Sequence, residues 1–478
     1  MNPAETNQDC TAKIDASCRV PLLALFGGAA LWLVAGLALG IVAVLSFHKP
    51  DLFADCPYLS FGRAQAAAND LLLYGFAIPA GLGVMLWIFS RLSRAPLALP
   101  LVPIVAANLW HLGVLIGTAT ILMGGSTGYP WLEYPRAAAV LLLTAFMLVA
   151  VTASATFGFR QNRELYPAHW FLFAALLLFP WIYLTANLFL LSNHPPRGVV
   201  QAIIDWWFAN NLVFLWLGLV GVGTAFYFLP KISGKPLASS GYTLFAFLTL
   251  ILFGTWPGIP GSAPVPAWLP ALSSVAAGLV LVPLVAILIV TLKTISGAGV
   301  SSPGSSFRFI QLGMAAFVAS GLLYVCQFCP QYSRVLDFTW FGFAQTQLQL
   351  LGFAAMILLG AMYDILPRVM GTPLPFPKFA RLHFFLTLGG VLLFTIPLLI
   401  GGVKQGRMLA DAQIPFATVN AGVLNFLRLS TTGQMLILVG ALLLLLNIFV
   451  MTIKWKIGLF KAALAAVKAP LETAEVKS

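Results

Sequence analysis

The sequence predicts an all-α polytopic membrane protein of twelve transmembrane helices. Three observations predict it. Of the 478 residues, 60% are hydrophobic and only 8% are charged, against about a quarter charged in a soluble domain. Apolar stretches of about 20 residues, enough to cross a bilayer as a helix, recur along the whole chain. The connections between them are short, and their Lys and Arg residues are biased to alternate sides.

The twelve predicted spans cover residues 20–47, 69–90, 100–122, 136–157, 168–192, 206–229, 242–257, 267–293, 308–328, 341–366, 380–402 and 433–453. The first 18 residues are polar and the first apolar run is long enough to span, so no cleavable signal peptide is expected. With the N-terminus in the cytoplasm, eighteen of the 26 Lys and Arg residues fall on the cytoplasmic side and eight outside. The inner set includes Arg163, Lys468 and Lys477. The net charge of +12 is then a positive-inside signal and not the mark of a nucleic-acid partner. The expected location is the bacterial inner membrane, with both termini cytoplasmic. Three segments follow: a cytoplasmic N-terminal segment (1–19), one membrane domain (20–454) and a basic cytoplasmic tail (455–478). The tail reads either as an amphipathic helix on the inner leaflet or as a solvated extension. No strong internal repeat is evident.

Ionisable residues inside a membrane mark function when they occur, and here they are scarce. No Asp or Glu lies between Trp206 and Leu336, so spans six to nine lack carboxylate relays. Asp70 and Asp205 fall at predicted helix starts and are expected as N-caps. Asp364 stands one turn before Arg368 and is expected to pair with it. His48, His169, His194 and His383 fall at predicted helix ends or in loops. Only His111, in "ANLWHLGVL", lies near mid-membrane. It reads either as a hydrogen-bonded structural residue or as one axial ligand of a heme. Cys326 and Cys329 form "CQFC" at the outer end of span nine. Pro330 follows, not His, which excludes a c-type heme attachment. The pair reads as two isolated buried thiols or as a redox or disulfide pair.

The stretch "FGFAQTQLQLLGF" (341–353) places Gln345, Gln347 and Gln349 within an apolar run. Buried amides are costly unless hydrogen-bonded. Residues i and i+2 on a helix lie about 200° apart, so Gln345 and Gln347 face nearly opposite sides.

Several stretches resemble, in order, the cbb-type cytochrome c oxidase catalytic subunits of the heme–copper oxidase superfamily. They are "CPYLSFGRAQAAANDLLLYGFA" (56–77), "GYPWLEYPRAA" (128–138), "LYPAHWFLFAALLLFPWIYLTANLF" (165–189), "DWWFANNLVFLWLGLVGVGTAFYFLPK" (205–231) and "FTWFGFAQTQLQLLGFAAMILLGAMYDILPR" (338–368). The resemblance implies a twelve-helix, subunit I-like bundle. In that family the tenth helix carries two histidines two residues apart, one for each heme. Here those positions are Gln345 and Gln347. The low-spin heme partner on the second helix falls on Ala68. The copper positions fall on Asn210, Gly258 and Ile259, and the redox tyrosine falls on Leu252. All six histidine positions are therefore substituted. Imidazole or thiolate is what retains copper, so the resemblance implies the fold and argues against oxygen reduction.

The first functional reading is a cofactor-free, structural subunit of a respiratory complex. It would dock membrane-anchored c-type cytochromes or other respiratory subunits, with any heme c on those partners. A second is transport, or quinone or lipid binding, in the emptied bundle. A third is an oxidoreductase with a relocated heme ligand such as His111. Trp206, Trp207, Trp216, Phe214, Phe338, Trp340 and Phe341 are the bulky residues expected to fill the vacated volume.

Overall fold

A computed structural model of the chain describes residues 3–162, 164–296 and 304–475. Arg163 and Lys477, both counted in the charge bias, lie outside the described residues. Among the described residues all regular structure is helical. The bundle consists of α1 (Pro3–His48), α2 (Phe61–Ser93), α3 (Val102–Leu122), α4 (Arg136–Gly158), α5 (Pro167–Leu190) and α6 (Val199–Ser233), followed by α7 (Ser240–Gly254), α8 (Trp268–Ile295), α9 (Ser305–Phe328), α10 (Trp340–Met370), α11 (Pro377–Leu409) and α12 (Phe416–Glu475). A short helix, Pro330–Leu336, joins α9 to α10.

Eleven of these helices are long and apolar enough to cross a membrane, and α7 is shorter at 15 residues. At 1.5 Å per residue α7 reaches about 22 Å, less than the ~30 Å hydrocarbon core. It stops at Gly254 because "WPGIPGSAPVP" follows, and proline cannot continue a helix. The tail predicted at 455–478 is, as far as it is described, a direct continuation of α12 to Glu475.

Three helices form the centre. The most apolar windows of α2, α6 and α10 are 100%, 100% and 89% buried, whereas those of the other spans are 39–50% buried. A helix that is apolar all round finds no solvent-facing side and belongs inside, while the outer helices keep one face for lipid. Each central helix also contains a π-helical stretch: Leu71–Ala77, Asn211–Trp216 and Leu348–Ala355. The stretches of α2 and α6 both pack against that of α10. Such insertions are rare and concentrate at functional sites.

Polar clamps hold the bundle together on the face where α1 begins. Asp15 takes an ion pair from Arg91 at 3.2 Å and a hydrogen bond from the Trp87 indole at 2.9 Å, and Arg91 lies over the Trp87 ring. Arg19 donates to the Val369 carbonyl at 2.7 Å, tying α1 to α10. The α11–α12 hairpin closes at Gly390 and Gly433, where a Cβ on either residue would collide with the other helix's backbone. Small residues of this kind allow close approach inside membranes.

Asp364 pairs with Arg368 through two bonds of 2.8 and 3.0 Å. The expected N-cap roles of Asp70 and Asp205 are corrected. Asp70 lies inside the continuous α2, and Asp205 lies within α6, which begins six residues earlier at Val199. Both helices extend further toward the face opposite the N-terminus than their apolar runs do, which is why composition misplaced their starts. His383 is likewise not at a helix end. It lies inside α11, fully buried, 2.8 Å from the Tyr363 hydroxyl.

Candidate functional site

The family-derived positions converge on the bundle centre, toward the face opposite the N-terminus. Ala68, Asn210, Ile259, Gln345 and Gln347 are all buried. The π-helical stretches begin immediately beyond Asn210 and Gln347, and three residues beyond Ala68. The backbone distortion is therefore present beside the positions on α2, α6 and α10 although the histidines are not.

The polar side chains there are held by the protein itself. Asn210 donates to the Gly254 carbonyl at 3.0 Å and accepts from the Tyr324 hydroxyl at 2.5 Å. Gln345 donates to the Ser320 hydroxyl at 3.2 Å, and Ser320 donates onward to Gln349 at 2.9 Å. Gln347 points the other way and donates to Asn69 at 3.2 Å, which also receives Gln65 at 3.0 Å. From α12, Gln434 lies against Gly40 beside Ala68. The amide oxygens of Gln347 and Gln434 are buried without a partner among the described residues.

These residues do not fit a heme or a copper ion. Ala68, Gly258 and Ile259 have no donor side chain. The Asn210 amide is occupied on both its atoms. Gly258 has φ +120°, and a Cβ there would fall on the Asn210 Cβ and crowd the Trp206 carbonyl. Among the described residues no three His, Cys, Asp or Glu side chains gather as a metal-holding group. One consequence is measurable. Asn210→Leu leaves the Tyr324 hydroxyl and the Gly254 carbonyl buried and unpaired, a loss of roughly 1–3 kcal/mol per group. Thermal melts of the purified chain should show a clear drop for this variant. The double variant with Tyr324→Phe should lose less than the sum of the two singles.

Between these groups and the opposite face lies a cavity of about 190 Å³. Its walls combine the amides of Asn210, Gln345 and Gln349 with aromatic rings, and no charged residue lines it. Phe214 and Tyr324 stack beside it at 4.5 Å between centroids. Sequence reasoning missed Ser320, Tyr324 and Gln327 of α9. They were legible only as polar residues at i, i+4 and i+7 on one helix face, a pattern with no motif attached.

The other candidates resolve as follows. His111 accepts from the Trp32 indole at 3.1 Å and contacts the Ala24 carbonyl at 3.1 Å. Both ring nitrogens are engaged, so it braces α3 against α1 and has no lone pair for iron. The reading of Cys326 and Cys329 as buried thiols is corrected: Cys326 is exposed and Cys329 is half-buried, and both are free. Of the expected filling residues, Phe214, Trp216 and Phe341 are buried, but Phe338 is exposed. Phe338 sits at φ 58° in the connection before α10, which turns it outward. Leu252 is 58% exposed, so the redox-tyrosine position faces away from the centre.

A second cluster lies beside the first. Asp70 is fully buried with both oxygens unpaired, and Glu133, from the connection between α3 and α4, packs against it. Tyr74, Tyr134 and Tyr183 surround the pair, with Tyr74 5.3 and 6.1 Å from the other two rings. Burial, reinforced by the charge of Asp205, pushes the Glu133 carboxyl up to about 7.

Twelve bundled helices with three buried central ones, and this site between them, define an integral membrane protein of the heme–copper oxidase class. The profile of the family described as Cytochrome C and Quinol oxidase polypeptide I matches residues 20–436, and the chain belongs to that family. It is 25% identical over 394 residues to the Cbb3-type cytochrome c oxidase subunit CcoN1 of Stutzerimonas stutzeri, covering 79% of this chain and 82% of that one. It is 23% identical over 445 residues to a cytochrome c oxidase subunit 1 homolog of Azorhizobium caulinodans, covering 90% and 80%. It is 24% identical over 467 residues to cytochrome c oxidase subunit 1 of Rhodobacter capsulatus, covering 92% and 86%. In three dimensions it is similar to a chain of a heme–copper terminal oxidase dimer, with a TM-score of 0.78, 13% identity, and 91% and 84% of the two chains covered.

Proposed function

We propose that this chain is a cofactor-free, structural member of the cbb-type lineage within that family, a subunit of a respiratory complex that binds neither heme b nor copper. The observation that carries the reading is the hydrogen bonding of Asn210 and Gln345. At positions that the resemblance assigns to imidazole, Asn210 commits both amide atoms and Gln345 its amide nitrogen to protein partners. The face opposite the N-terminus keeps the family-like segments "SFGR" (60–63) and "WLEYPR" (131–136). We assign to it the docking of membrane-anchored c-type cytochromes or other respiratory subunits, with electron-carrying heme on those partners. Transport has no comparable support, because no charged residue lines the cavity between the central helices.

Co-purification tests this reading. Under mild detergent the chain is expected to bring down at least one c-type cytochrome or other respiratory subunit, and its deletion should lower the level of that partner. Isolation from native membranes as a stable monomer, with cytochrome levels unchanged by deletion, would overturn it.

The bias of Lys and Arg also supports a bacterial inner-membrane location with both termini on the cytoplasmic side. A fusion after Ser478 should be active with a cytoplasmic reporter and silent with a periplasmic one. The reverse pattern would refute the assignment.

A further inference from the structure

Four features of the 190 Å³ cavity go beyond a structural role. The first is its size. An engineered cavity of about 150 Å³ holds a benzene molecule, so this one accommodates a single six-membered ring with small substituents. The second is its lining, which carries no charge but is rich in aromatic faces. A charged ligand would find no counter-charge there, and water alone would leave much of the ring surface poorly matched. The third is spare hydrogen-bonding capacity. Among the described residues the Gln327 side-chain amide makes no hydrogen bond, and neither do the indole N–H groups of Trp131 and Trp206, whereas Asn210 and Gln349 are already engaged. Gln345 uses its nitrogen on Ser320 and keeps its oxygen unpaired.

The fourth is the placement of Trp131. It holds φ 68°, a conformation that is uncommon and strained for a large side chain, and the Tyr74 hydroxyl pins its carbonyl at 2.6 Å. Strain of this kind concentrates at ligand clamps and switch regions. Here it sets an indole at the cavity rim, on the connection between α3 and α4.

We infer that this cavity is a binding site for a neutral, single-ring phenol bearing a second oxygen substituent. The ring packs beside the Phe214–Tyr324 stack. Its oxygens take hydrogen bonds from Gln327 and the rim indoles, and a ligand hydroxyl donates to the Gln345 oxygen. The site needs no metal and no electron transfer.

The test is equilibrium binding to the full-length chain in nanodiscs, followed by ligand-observed NMR, with 4-methoxyphenol as probe. Two controls accompany it: p-xylene, which lacks hydrogen-bonding groups, and 4-hydroxybenzoate, which is charged at neutral pH. Saturable binding of 4-methoxyphenol at one site per chain is expected, with both controls at least roughly tenfold weaker, the equivalent of one good hydrogen bond. Ala209→Phe, which fills the cavity from α6, should abolish binding. Gln327→Leu, at the half-buried rim, should weaken it roughly tenfold without lowering the melting temperature, and so remains informative if the first variant fails to fold. No saturable binding, equal binding of the carboxylate, or unchanged affinity in Gln327→Leu would each overturn the inference.

Discussion

Purified free of partners, this chain is expected to give no pyridine hemochrome signal and no copper by elemental analysis. Heme iron in this family is held by imidazole, and none of the six corresponding positions supplies a ligand of that kind. The expectation extends to variants. Restoring the histidines one at a time should recover no metal, and the reason is steric as well as chemical. Gly258→His places a bulky residue at φ +120°, where even a Cβ would meet the Asn210 Cβ and the Trp206 carbonyl. Ala68→His pushes a ring into a site already packed against Gly40 and Gln434. Both substitutions should lower the melting temperature and leave the metal content unchanged. A stoichiometric heme signal from the isolated chain would refute the cofactor-free reading outright.

Replacing Glu133 by Gln is expected to stabilise the protein above neutral pH and to change little at pH 4. The folded chain holds the Glu133 carboxyl up near 7, mainly by burial, against an ordinary value of 4.5. A group whose folded value is raised binds its proton more tightly in the native state. Its contribution to stability is therefore complete below 4.5 and declines as pH rises from 4.5 toward 7. Above 7 the native state carries the whole penalty of an ionised, buried carboxylate beside Asp70, about 3 kcal/mol. Gln removes that penalty and can still donate to Asp70. Detergent-solubilised wild-type and Glu133→Gln chains, melted across pH 4 to 9, should diverge progressively over the window from 4.5 to 7 and then run parallel. Curves that coincide at pH 8 would show that the carboxyl is neither buried nor raised.

The carboxyl pair also illustrates how the two levels of evidence divide. The amino-acid sequence by itself determined the membrane class and the helical bundle, and it shows that Ala68, Asn210, Gly258, Ile259, Gln345 and Gln347, the positions the resemblance assigns to ligands, carry no imidazole. Hydrophobic run length is a local property, and donor atoms are a property of residue type, so both are readable without coordinates. The i, i+2 spacing of Gln345 and Gln347 even fixed that they face different sides, and the structure gives them Ser320 and Asn69 as separate partners.

What only the tertiary structure decided depends on residues distant in the chain. That α2, α6 and α10 form the centre, each with a π-helical stretch beside an inherited position, follows from packing among helices of similar hydropathy, which composition does not rank. Asp70 read as a helix cap because its apolar run began at the next residue. Only the fold shows α2 starting earlier and Glu133 arriving 63 positions later to share its burial. His111 lost its standing as a ligand once Trp32 and the Ala24 carbonyl were seen to take both ring nitrogens. The amide-lined cavity likewise needs five segments at once: the connection carrying Trp131, α6 with Asn210, the connection carrying Gly258, α9 with Tyr324 and Gln327, and α10 with Gln345. Hydrogen bonds reach only about 3 Å, so which buried polar groups meet is a matter of three-dimensional proximity that spacing along the chain does not encode.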